Sequence, residues 1–403
     1  MAWVTMMNNT PQIRFKGFAD TWEQRKFSDI VNRVSAQSNA DDLPKVEFED
    51  IISGEGRLNK DISNKFDNRK GILFKNDNIL YGKLRPYLKN WLFADFNGIA
   101  LGDFWVFETV DSAPRFIYAL IQTEKYQETA NLSTGTKMPR SDWSIVSETD
   151  FLIPTDPAEQ QQIGDFFRTL DTTINLHKRK LDNLRELKKA YLQQMFPQSG
   201  ESVPRVRFAG FSEDWVERKL GEVVTLFGGN SFSSDDSVKS GARWLKIANV
   251  GIGCLKWDDE SFLPVDYLEE HSSYCLESGD YVMALTRPIL NHELKIAQLT
   301  ISNVLLNQRV AKLYFSGDSC FCYQLLRKRS TVDKIENELA GTDPPNLSAG
   351  TLKNIIIYVP FNIEEQIAIG NFFRNLDEQI TAQQVKLEGL KRLKAGYLQK
   401  MFV

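Results

Sequence analysis

Two strand-to-turn segments of this chain each end in an arginine followed by a proline. They occupy residues 77–86 and 280–288. The proline fixes the turn, and the arginine before it presents a planar guanidinium whose fork matches a guanine edge or a phosphate. Arg85 and Arg287 are therefore candidates for binding nucleic acid. A structural arginine paired to an acidic side chain is the alternative, and the sequence leaves both interpretations open.

A second pair of loops combines small residues with polar ones. Residues 135–140 read Gly-Thr-Lys-Met-Pro-Arg, and residues 341–346 read Gly-Thr-Asp-Pro-Pro-Asn. Small residues allow a backbone to approach DNA closely, and Lys, Arg and Asn side chains bond to phosphates or base edges. With neighbouring polar residues added, the predicted DNA-binding set is Lys83, Arg85, Tyr87, Lys137, Arg140, Thr286, Arg287, Asn307, Arg309 and Asn346.

Residues 57–89 form a basic stretch within a chain of net charge −4. The stretch holds nine basic residues against three acidic ones, and Tyr81, Tyr87 and Trp91 lie among or beside them. This mixture predicts phosphate contact, with a solvated charged surface as the alternative.

Two patterns resemble catalytic motifs without completing them. Residues 343–346 are similar to the Asp-Pro-Pro-aromatic loop of adenine methyltransferases, but Asn346 stands where the aromatic residue would stack on a flipped base. Asp280, Glu293 and Lys295 loosely fit a magnesium-binding nuclease pattern, which also arises by chance in a charged chain. We predict no catalytic residue.

The four cysteines do not have the spacing of a metal site. They are Cys254, Cys275, Cys320 and Cys322, and only the last two lie close together, separated by one residue. Zinc sites usually pair two Cys-x2-Cys units, so we predict reduced thiols and no metal ligand.

The elements that position these residues come in two copies. Residues 11–22 return as residues 204–215, shifted by 193 positions, and residues 159–196 return as residues 365–402, shifted by 206. Two unlike inserts therefore lie between matched framing segments. The pattern predicts one scaffold that makes two different readings.

The later repeat is predicted to be a long helix in each copy. Asp156, followed by Pro157, is predicted to cap the start of the first helix, and Asn362 is predicted to cap the start of the second. Glu159 and Glu365 lie three residues after these caps, where a capping box places its glutamate. Apolar residues then recur at alternating steps of four and three, which is typical of a coiled-coil seam. The seam residues are Ile163, Phe167, Leu170, Ile174, Leu181, Leu184, Tyr191, Ile369, Phe373, Leu376, Ile380, Leu387, Leu390 and Tyr397.

Polar residues interrupt this seam at matching places. They are His177 and Lys188 in one copy and Gln383 and Lys394 in the other. Such residues either set the alignment of two paired helices or face solvent. We predict an antiparallel helix pair; the alternative is that each helix packs on its own neighbouring domain.

Both inserts are predicted to be strand-rich with one helix each. In the first, strands are predicted over 72–74, 78–81, 91–94 and 103–107 and a helix over 114–131. In the second, strands are predicted over 281–285, 295–299 and 311–315, and the range 319–340 is predicted to contain the corresponding helix. The predicted fold class is α+β, with two α/β insert domains, a pair of long antiparallel coiled-coil helices and a pseudo-twofold internal repeat. Residues 11–155 are predicted to form the first framing segment and insert domain, 156–197 the central spacer helix, and 198–219 a linker with the repeated framing segment. Residues 220–361 are predicted to form the second insert domain and 362–403 the C-terminal spacer helix.

Composition describes an ordinary globular protein. The 403 residues are 42% hydrophobic and 25% charged, and no stretch is apolar enough for a membrane span. The start carries no basic segment followed by a long apolar run, so we expect a cytoplasmic protein.

Together these motifs resemble the specificity subunit of a type I restriction-modification system. The resemblance rests on the repeat, the Pro-x-[Ile/Val]-Arg-Phe-x-Gly-Phe opening, the Glu-Gln helix start and the Tyr-Leu-x-x-Met-Phe ending, and it covers essentially the whole chain. Lys83-Leu-Arg-Pro-Tyr87 and Asp103-Phe-Trp-Val106 also look like parts of that family's target recognition domains.

The resemblance implies a function and partners. Two variable domains would each read half of an asymmetric, bipartite double-stranded DNA target, with the half-sites about one helical turn apart. The paired helices would set the gap and dock methyltransferase subunits, expected to number two, with restriction subunits joining them. S-adenosylmethionine, ATP and magnesium would belong to those partners, and this chain would need no cofactor. A scaffold that binds only proteins is the main alternative.

Overall fold

The computed structural model describes residues 9–63, 65, 67–132, 137–198, 200–341 and 343–403. These residues form two units. The first contains the chain up to Lys180 together with Gln384–Val403, and the second is Leu181–Gln383. Each unit therefore includes part of both long helices.

The first unit contains twelve described strands and the helices that accompany them. The strands are β1 (Glu23–Lys26), β2 (Val31–Arg33), β3 (Gln37–Ser38), β4 (Lys45–Val46), β5 (Ile51–Ile52), β6 (Arg57–Leu58), β7 (Gly71–Phe74), β8 (Ile79–Gly82), β9 (Trp91–Phe93), β10 (Gly98–Ala100), β11 (Phe104–Thr109) and β12 (Asp150–Ile153). The helices are α1 (Phe27–Ile30), α2 (Pro114–Leu120), α3 (Glu124–Ala130), α4 (Trp143–Glu148) and the beginning of α5 (Pro157–Gln194).

The second unit repeats this plan. Its strands are β13 (Val216–Lys219), β14 (Val224–Gly228), β15 (Ala242–Leu245), β16 (Phe262–Leu263), β17 (Cys275–Leu276), β18 (Tyr281–Ala284), β19 (Ile289–Leu290), β20 (Glu293–Leu294), β21 (Ile296–Gln298), β22 (Val304–Leu306), β23 (Val310–Phe315) and β24 (Ile356–Val359). Its helices are α6 (Leu220–Val223), α7 (Tyr267–Glu270), α8 (Ser319–Arg327), α9 (Arg329–Glu338), α10 (Ala349–Leu352) and the beginning of α11 (Ile363–Lys400).

Each unit carries two four-stranded sheets, and one of the two, which is antiparallel throughout, is built on the same plan in both units. In the first unit the sheet orders are β2-β11-β8-β9 and β3-β7-β10-β4; in the second they are β14-β23-β18-β21 and β16-β15-β22-β17. Strands β8 and β18 occupy equivalent inner positions and are buried along their whole length. A short continuous apolar run suits such a strand, because both of its faces are covered. The predicted α+β class is confirmed.

The predicted strands appear within two residues of their expected bounds, but each predicted insert helix is two helices. Thr123 lies between α2 and α3 and caps the start of α3. Its Oγ1 accepts a hydrogen bond from the amide of Tyr126 at 3.4 Å. In the second unit the extended backbone of Lys328 separates α8 from α9. The prediction of one helix over 114–131 is wrong, because local capping overrides a continuous apolar pattern, and the range 319–340 contains two helices where one was expected.

The long helices begin where their caps predict. Asp156 accepts a hydrogen bond from the amide of Ala158, and Asn362 accepts one from the amide of Glu364, each at 2.8 Å. The glutamate three residues after each cap, Glu159 in one helix and Glu365 in the other, has a different partner from the one predicted. The buried Glu159 carboxylate accepts two hydrogen bonds from Arg14, at 2.6 and 2.7 Å.

The second unit repeats that ion pair. Arg207 donates to both oxygens of Glu365 at 2.6 and 2.8 Å, and Glu365 is only 1% exposed. Both arginines belong to the repeated opening segments. These segments are therefore anchored to the helix starts by bidentate contacts, which a guanidinium forms better than an ammonium group does.

The seam residues are all buried or half-buried, but some of them pack into the core of a unit as well as along the helix pair. Ile163 and Phe167 belong to the apolar core of the first unit, together with Phe116 and Phe402. Ile369 and Phe373 hold the same place in the second unit. The first turns of each helix thus pack on their own domain, as the alternative interpretation held, while later positions form the helix pair.

Contacts within each unit show that the helices run antiparallel. In the first unit Phe166 packs edge-to-face on Tyr397, with ring centres 5.0 Å apart, and Asp171 pairs with Lys394. As the residue number rises on one helix, it falls on the other. The second unit shows the same order, since Lys188 pairs with Asp377 and Tyr191 packs on Phe372, with ring centres also 5.0 Å apart.

Within the described residues, no helix combines the length and the apolar character that crossing a membrane requires.

Candidate nucleic-acid interface

The two arginine–proline turns share an unusual backbone conformation. Arg85 has a φ of 49° and Arg287 a φ of 47°, so both lie in the left-handed region. A long side chain in this region costs about 1–3 kcal/mol, and such strain persists where the surrounding structure enforces it. In both units, therefore, the surrounding structure imposes this turn against the conformational preference of the arginine.

The guanidinium groups of these turns are free to bind a ligand. Arg85 and Arg287 are exposed, and neither side chain forms a hydrogen bond or salt bridge within the part of the chain that the structure describes. The structural-arginine interpretation required an acidic partner. Among the described residues there is none, so the interpretation as exposed binding groups remains.

A backbone ladder joins each turn to the second loop of its unit. In the first unit the amide of Arg85 donates to the carbonyl of Pro139 at 2.8 Å, and the amide of Ser141 donates to the carbonyl of Lys83 at 2.8 Å. The sequence singled out both segments but did not predict that they pair. More than fifty residues separate them along the chain, and no local pattern reports such a contact.

The second unit has the same ladder. The amide of Arg287 donates to Pro345 at 2.7 Å, and the amide of Leu347 donates to Leu285 at 2.7 Å. Of the two loops at 135–140 and 341–346, residues 135–136 and residue 342 lie outside the described residues. The described parts nevertheless place the predicted residues of the two segments side by side in each unit.

In the first unit, the polar side chains at this ladder meet on Asp103. Arg140 places Nη2 2.9 Å from Oδ2 of Asp103, and Lys83 places Nζ 3.7 Å from its Oδ1. Tyr87 is 53% exposed, and Lys137 is also exposed. Asp103 lies in a predicted strand and in the motif 103–106, but it was not among the predicted DNA-binding residues, and its contacts at this site were not predicted.

In the second unit, a hydroxyl replaces that carboxylate as the organising group. Thr286 donates through Oγ1 to Oδ1 of Asn346 at 3.0 Å. Arg309 is exposed, its carbonyl accepts from the amide of Leu285 at 2.9 Å, and its amide donates to Oδ1 of Asn307 at 3.3 Å. All five predicted residues of this unit therefore lie around one ladder.

Lys295 adds a cation that sequence reasoning did not include at this site. Burial lowers the pKa of Lys295, and the nearby charge of Arg287 lowers it further. The hairpin of β19 and β20 brings the two residues together, since the amide of Lys295 donates to the carbonyl of Pro288 at 2.7 Å. Asn291 was a local signal for a turn here, because asparagine tolerates the left-handed conformation that it adopts.

Part of the basic stretch 57–89 is committed to internal ion pairs. Lys60 and Lys65 lie 2.9 and 2.7 Å from the buried Asp50, and Arg57 lies 2.8 Å from Glu55. Although burial raises the pKa of Asp50, hydrogen bonds from Lys65 and Lys60 outweigh it and lower the pKa below the ordinary value. Arg69 is paired with acidic residues as well. The free cations of this stretch are therefore fewer than its composition indicated.

The nuclease pattern is not assembled as the sequence suggested. Lys312 places Nζ 2.7 Å from Oδ2 of Asp280, and that oxygen also accepts from the amide of Glu277 at 2.9 Å. Across the described residues, no three His, Cys, Asp or Glu side chains gather as a metal site would require. Asp280 thus stabilises the strand that leads to Arg287.

Comparison with known proteins matches both copies of this arrangement to one family. Its description is type I restriction modification DNA specificity domain, and the match covers residues 19–186 and again 212–392. The chain therefore belongs to the type I restriction-modification DNA specificity family.

Among curated proteins, the specificity subunit of type I restriction enzyme MjaVIII from Methanocaldococcus jannaschii is 32% identical over 269 residues. This match spans 64% of the present chain and 63% of the archaeal protein. The specificity subunit of type I restriction enzyme EcoAI from Escherichia coli is 36% identical over 102 residues, which are 25% of this chain and 17% of that protein. The chain thus covers less than two thirds of either relative.

A solved structure shows the same fold. It is the crystal structure of the S subunit of a type I restriction-modification system from M. genitalium. The two chains are 15% identical, the comparison covers 98% of this chain and 99% of the other, and the TM-score is 0.65.

Proposed function

We propose that this chain is the DNA-reading subunit of a type I restriction-modification complex, in which each unit reads one half of an asymmetric, two-part target. One observation carries the proposal. The same backbone device, a left-handed arginine bonded to a second loop, occurs once in each unit and is surrounded by different side chains. A shared device with different side chains is what two readers of different sequences need.

The charge of the chain is consistent with local rather than general DNA binding. The net charge is −4, so attraction to phosphates has to come from a restricted set of cations. Arg85 and Lys137 in one unit, and Arg287 and Arg309 in the other, are exposed and supply it. They would fix the protein on the backbone while neighbouring polar side chains read base edges.

The partners in this proposal are methyltransferase subunits, two of them, and restriction subunits. The names of the relatives support this, because both are specificity subunits of type I restriction enzymes. S-adenosylmethionine, ATP and magnesium would be used by those partners and not by this chain. The expected gap of about one helical turn between half-sites remains part of the proposal.

The deciding experiment maps adenine methylation across the genome of cells that express this chain with its methyltransferase partner. Cells that lack only this chain are the control. An asymmetric two-part motif that disappears with the chain supports the proposal and identifies both half-sites. Unchanged methylation, with an active and assembled partner, would instead favour a scaffold that binds only proteins.

A further inference from the structure

We propose that Asp103 and Thr286 are positioning residues for two base-reading side chains, Arg140 and Asn346. On this basis the half-site read by the first unit requires a guanine, and the half-site read by the second requires an adenine. The inference rests on the proposed function, since it specifies which bases the two units read.

Arg140 and Asn346 occupy the same place in the two units. Each directly follows the proline whose carbonyl accepts a hydrogen bond from the amide of the left-handed arginine. Each also forms a backbone bridge to the residue just before that arginine, Leu84 in one unit and Thr286 in the other. The backbones agree, so the difference between the two sites lies in their side chains.

In the first unit, the reader is a cation held by an acid. Arg140 is 58% exposed and uses one Nη2 donor on Asp103, at 2.9 Å. A guanidinium has five donors, so the rest of the fork stays available. A bidentate arginine bonds to O6 and N7 of guanine, and this is the commonest specific contact in the major groove.

In the second unit, the reader is an amide held by a hydroxyl. Thr286 donates to Oδ1 of Asn346 at 3.0 Å, which orients the amide group. The amide nitrogen and the second lone pair of Oδ1 stay available. They match N7 and the N6 amino group of adenine, the pair that an asparagine recognises.

A charge reversal at one further position agrees with this difference. Asp103 and Arg309 are equivalent, because each carbonyl accepts an amide hydrogen bond of 2.9 Å from the segment before the left-handed arginine. An unpaired carboxylate next to DNA would repel phosphates, but Asp103 lies beside Lys83 and Arg140. The second unit has a neutral reader and places an arginine there instead.

The test maps methylation by the complete complex of this chain with its methyltransferase partner. The variants are Asp103→Asn, Arg140→Lys and Thr286→Val, with Asp103→Glu as the conservative change. Asp29→Asn alters an exposed carboxylate elsewhere in the first unit and is the matched control. Arg140→Lys keeps the charge but loses the fork, so it tests the first unit even if Asp103→Asn fails to assemble.

We expect Asp103→Asn and Arg140→Lys to reduce discrimination at one guanine of one half-site by about ten-fold or more, and to leave the other half-site unchanged. Thr286→Val should do the same at one adenine of the other half-site. Asp103→Glu should restore part of the discrimination, whereas a merely structural role would change thermal stability without changing the motif.

The inference is overturned if Asp103→Asn and Arg140→Lys leave the motif of the wild-type complex intact, or if the half-site changed by them contains no required guanine. Absence of any two-part motif in the wild-type complex would mean something different. In that case the proposed function itself has failed.

Discussion

The Nζ atom of Lys188 lies 2.6 Å from Oδ1 of Asp377, within the second unit. The first unit contains the same ion pair with the roles exchanged, since Lys394 lies 2.6 Å from Asp171. Lys188 and Lys394 interrupt the apolar seam that the sequence predicted. Their contacts settle which of the two sequence interpretations applies to them, because both join one long helix to the other instead of facing solvent alone.

Asp377 should be important for stability, because it is the partner of several buried donors. Besides Lys188, it accepts from Gln324 at 2.8 Å and lies 3.4 Å from Arg327. Asp377→Ala leaves the buried Lys188 without its carboxylate, and we expect a loss of about 3–5 kcal/mol in the free energy of unfolding. Denaturant unfolding measures this. The exposed neighbour Glu378 provides the control Glu378→Ala, and equal losses in the two variants would contradict the prediction.

Lys188 should also make stability depend on pH in the alkaline range. Burial, together with the charge of Arg327, lowers the pKa of Lys188 from 10.5 to about 8, against the opposing effect of Asp377. Between these values the unfolded chain holds more protons than the folded chain, so the free energy of unfolding should rise with pH. The measurement compares wild type with Lys188→Met from pH 8 to 10.5. A constant difference between the two proteins across that window would show that the pKa is not lowered.

The anchor between Arg14 and Glu159 should tolerate neither loss nor conservative change. Arg14→Ala leaves the carboxylate of Glu159, 1% exposed, without its bidentate partner, and we expect a cost of about 3–5 kcal/mol in the free energy of unfolding. Arg14→Lys should recover only part of it, because an ammonium group does not form the fork. Arg25→Ala removes a partly exposed arginine nearby and is the comparison. Full stability of Arg14→Lys would refute the argument from geometry.

Arginines with different surroundings should differ in their effect on DNA binding. Arg85→Ala and Arg287→Ala remove free cations from the proposed interface, so each should weaken binding by the assembled complex and reduce its salt dependence by about one charge. Arg69→Ala is the matched control, since Arg69 is exposed but already paired with Glu47 and Asp67. Titrations at several salt concentrations measure the slope. The assignment of the turns to DNA would be wrong if Arg69→Ala had the largest effect.

Exchange of one insert should change one half-site alone. Replacing residues 220–358 with the corresponding part of another specificity subunit leaves the first recognition domain intact. We therefore expect methylation mapping to show one altered half-site, with the other half-site and the gap unchanged. An unrelated exposed substitution such as Asp182→Asn serves as the control for assembly. A change in both half-sites would rule out two independent readers.

The sequence predicted local features of this fold better than distant ones. Caps at Asp156 and Asn362 marked both helix starts, because a capping side chain acts within a few residues. The break at Thr123 was missed, since the apolar pattern continues across it. The partner of Glu159 was missed as well, because Arg14 lies 145 residues away and approaches only after folding.

The candidate site shows the same limit. Repetition and residue type indicated Arg85, Arg287, Arg140 and Asn346, because each of them lies in a short motif that can be recognised from its immediate neighbours in the sequence. The contacts that hold the side chains of Arg140 and Asn346 come from distant parts of the fold, and the motif at 103–106 did not indicate that Asp103 contacts Arg140. The basic stretch was overestimated for a related reason. Three of its carboxylate partners, Glu47, Asp50 and Glu55, lie upstream of the stretch and were not counted with it.

The division of the long helices between the units has a consequence for synthesis on the ribosome. Phe402 packs on Phe116 and Trp22, with ring centres 5.4 and 6.3 Å apart, so the core of the first unit includes residues translated after the entire second unit. The second unit is a single uninterrupted stretch and has all of its residues earlier. The recognition domain that emerges first is therefore the one whose core is completed last.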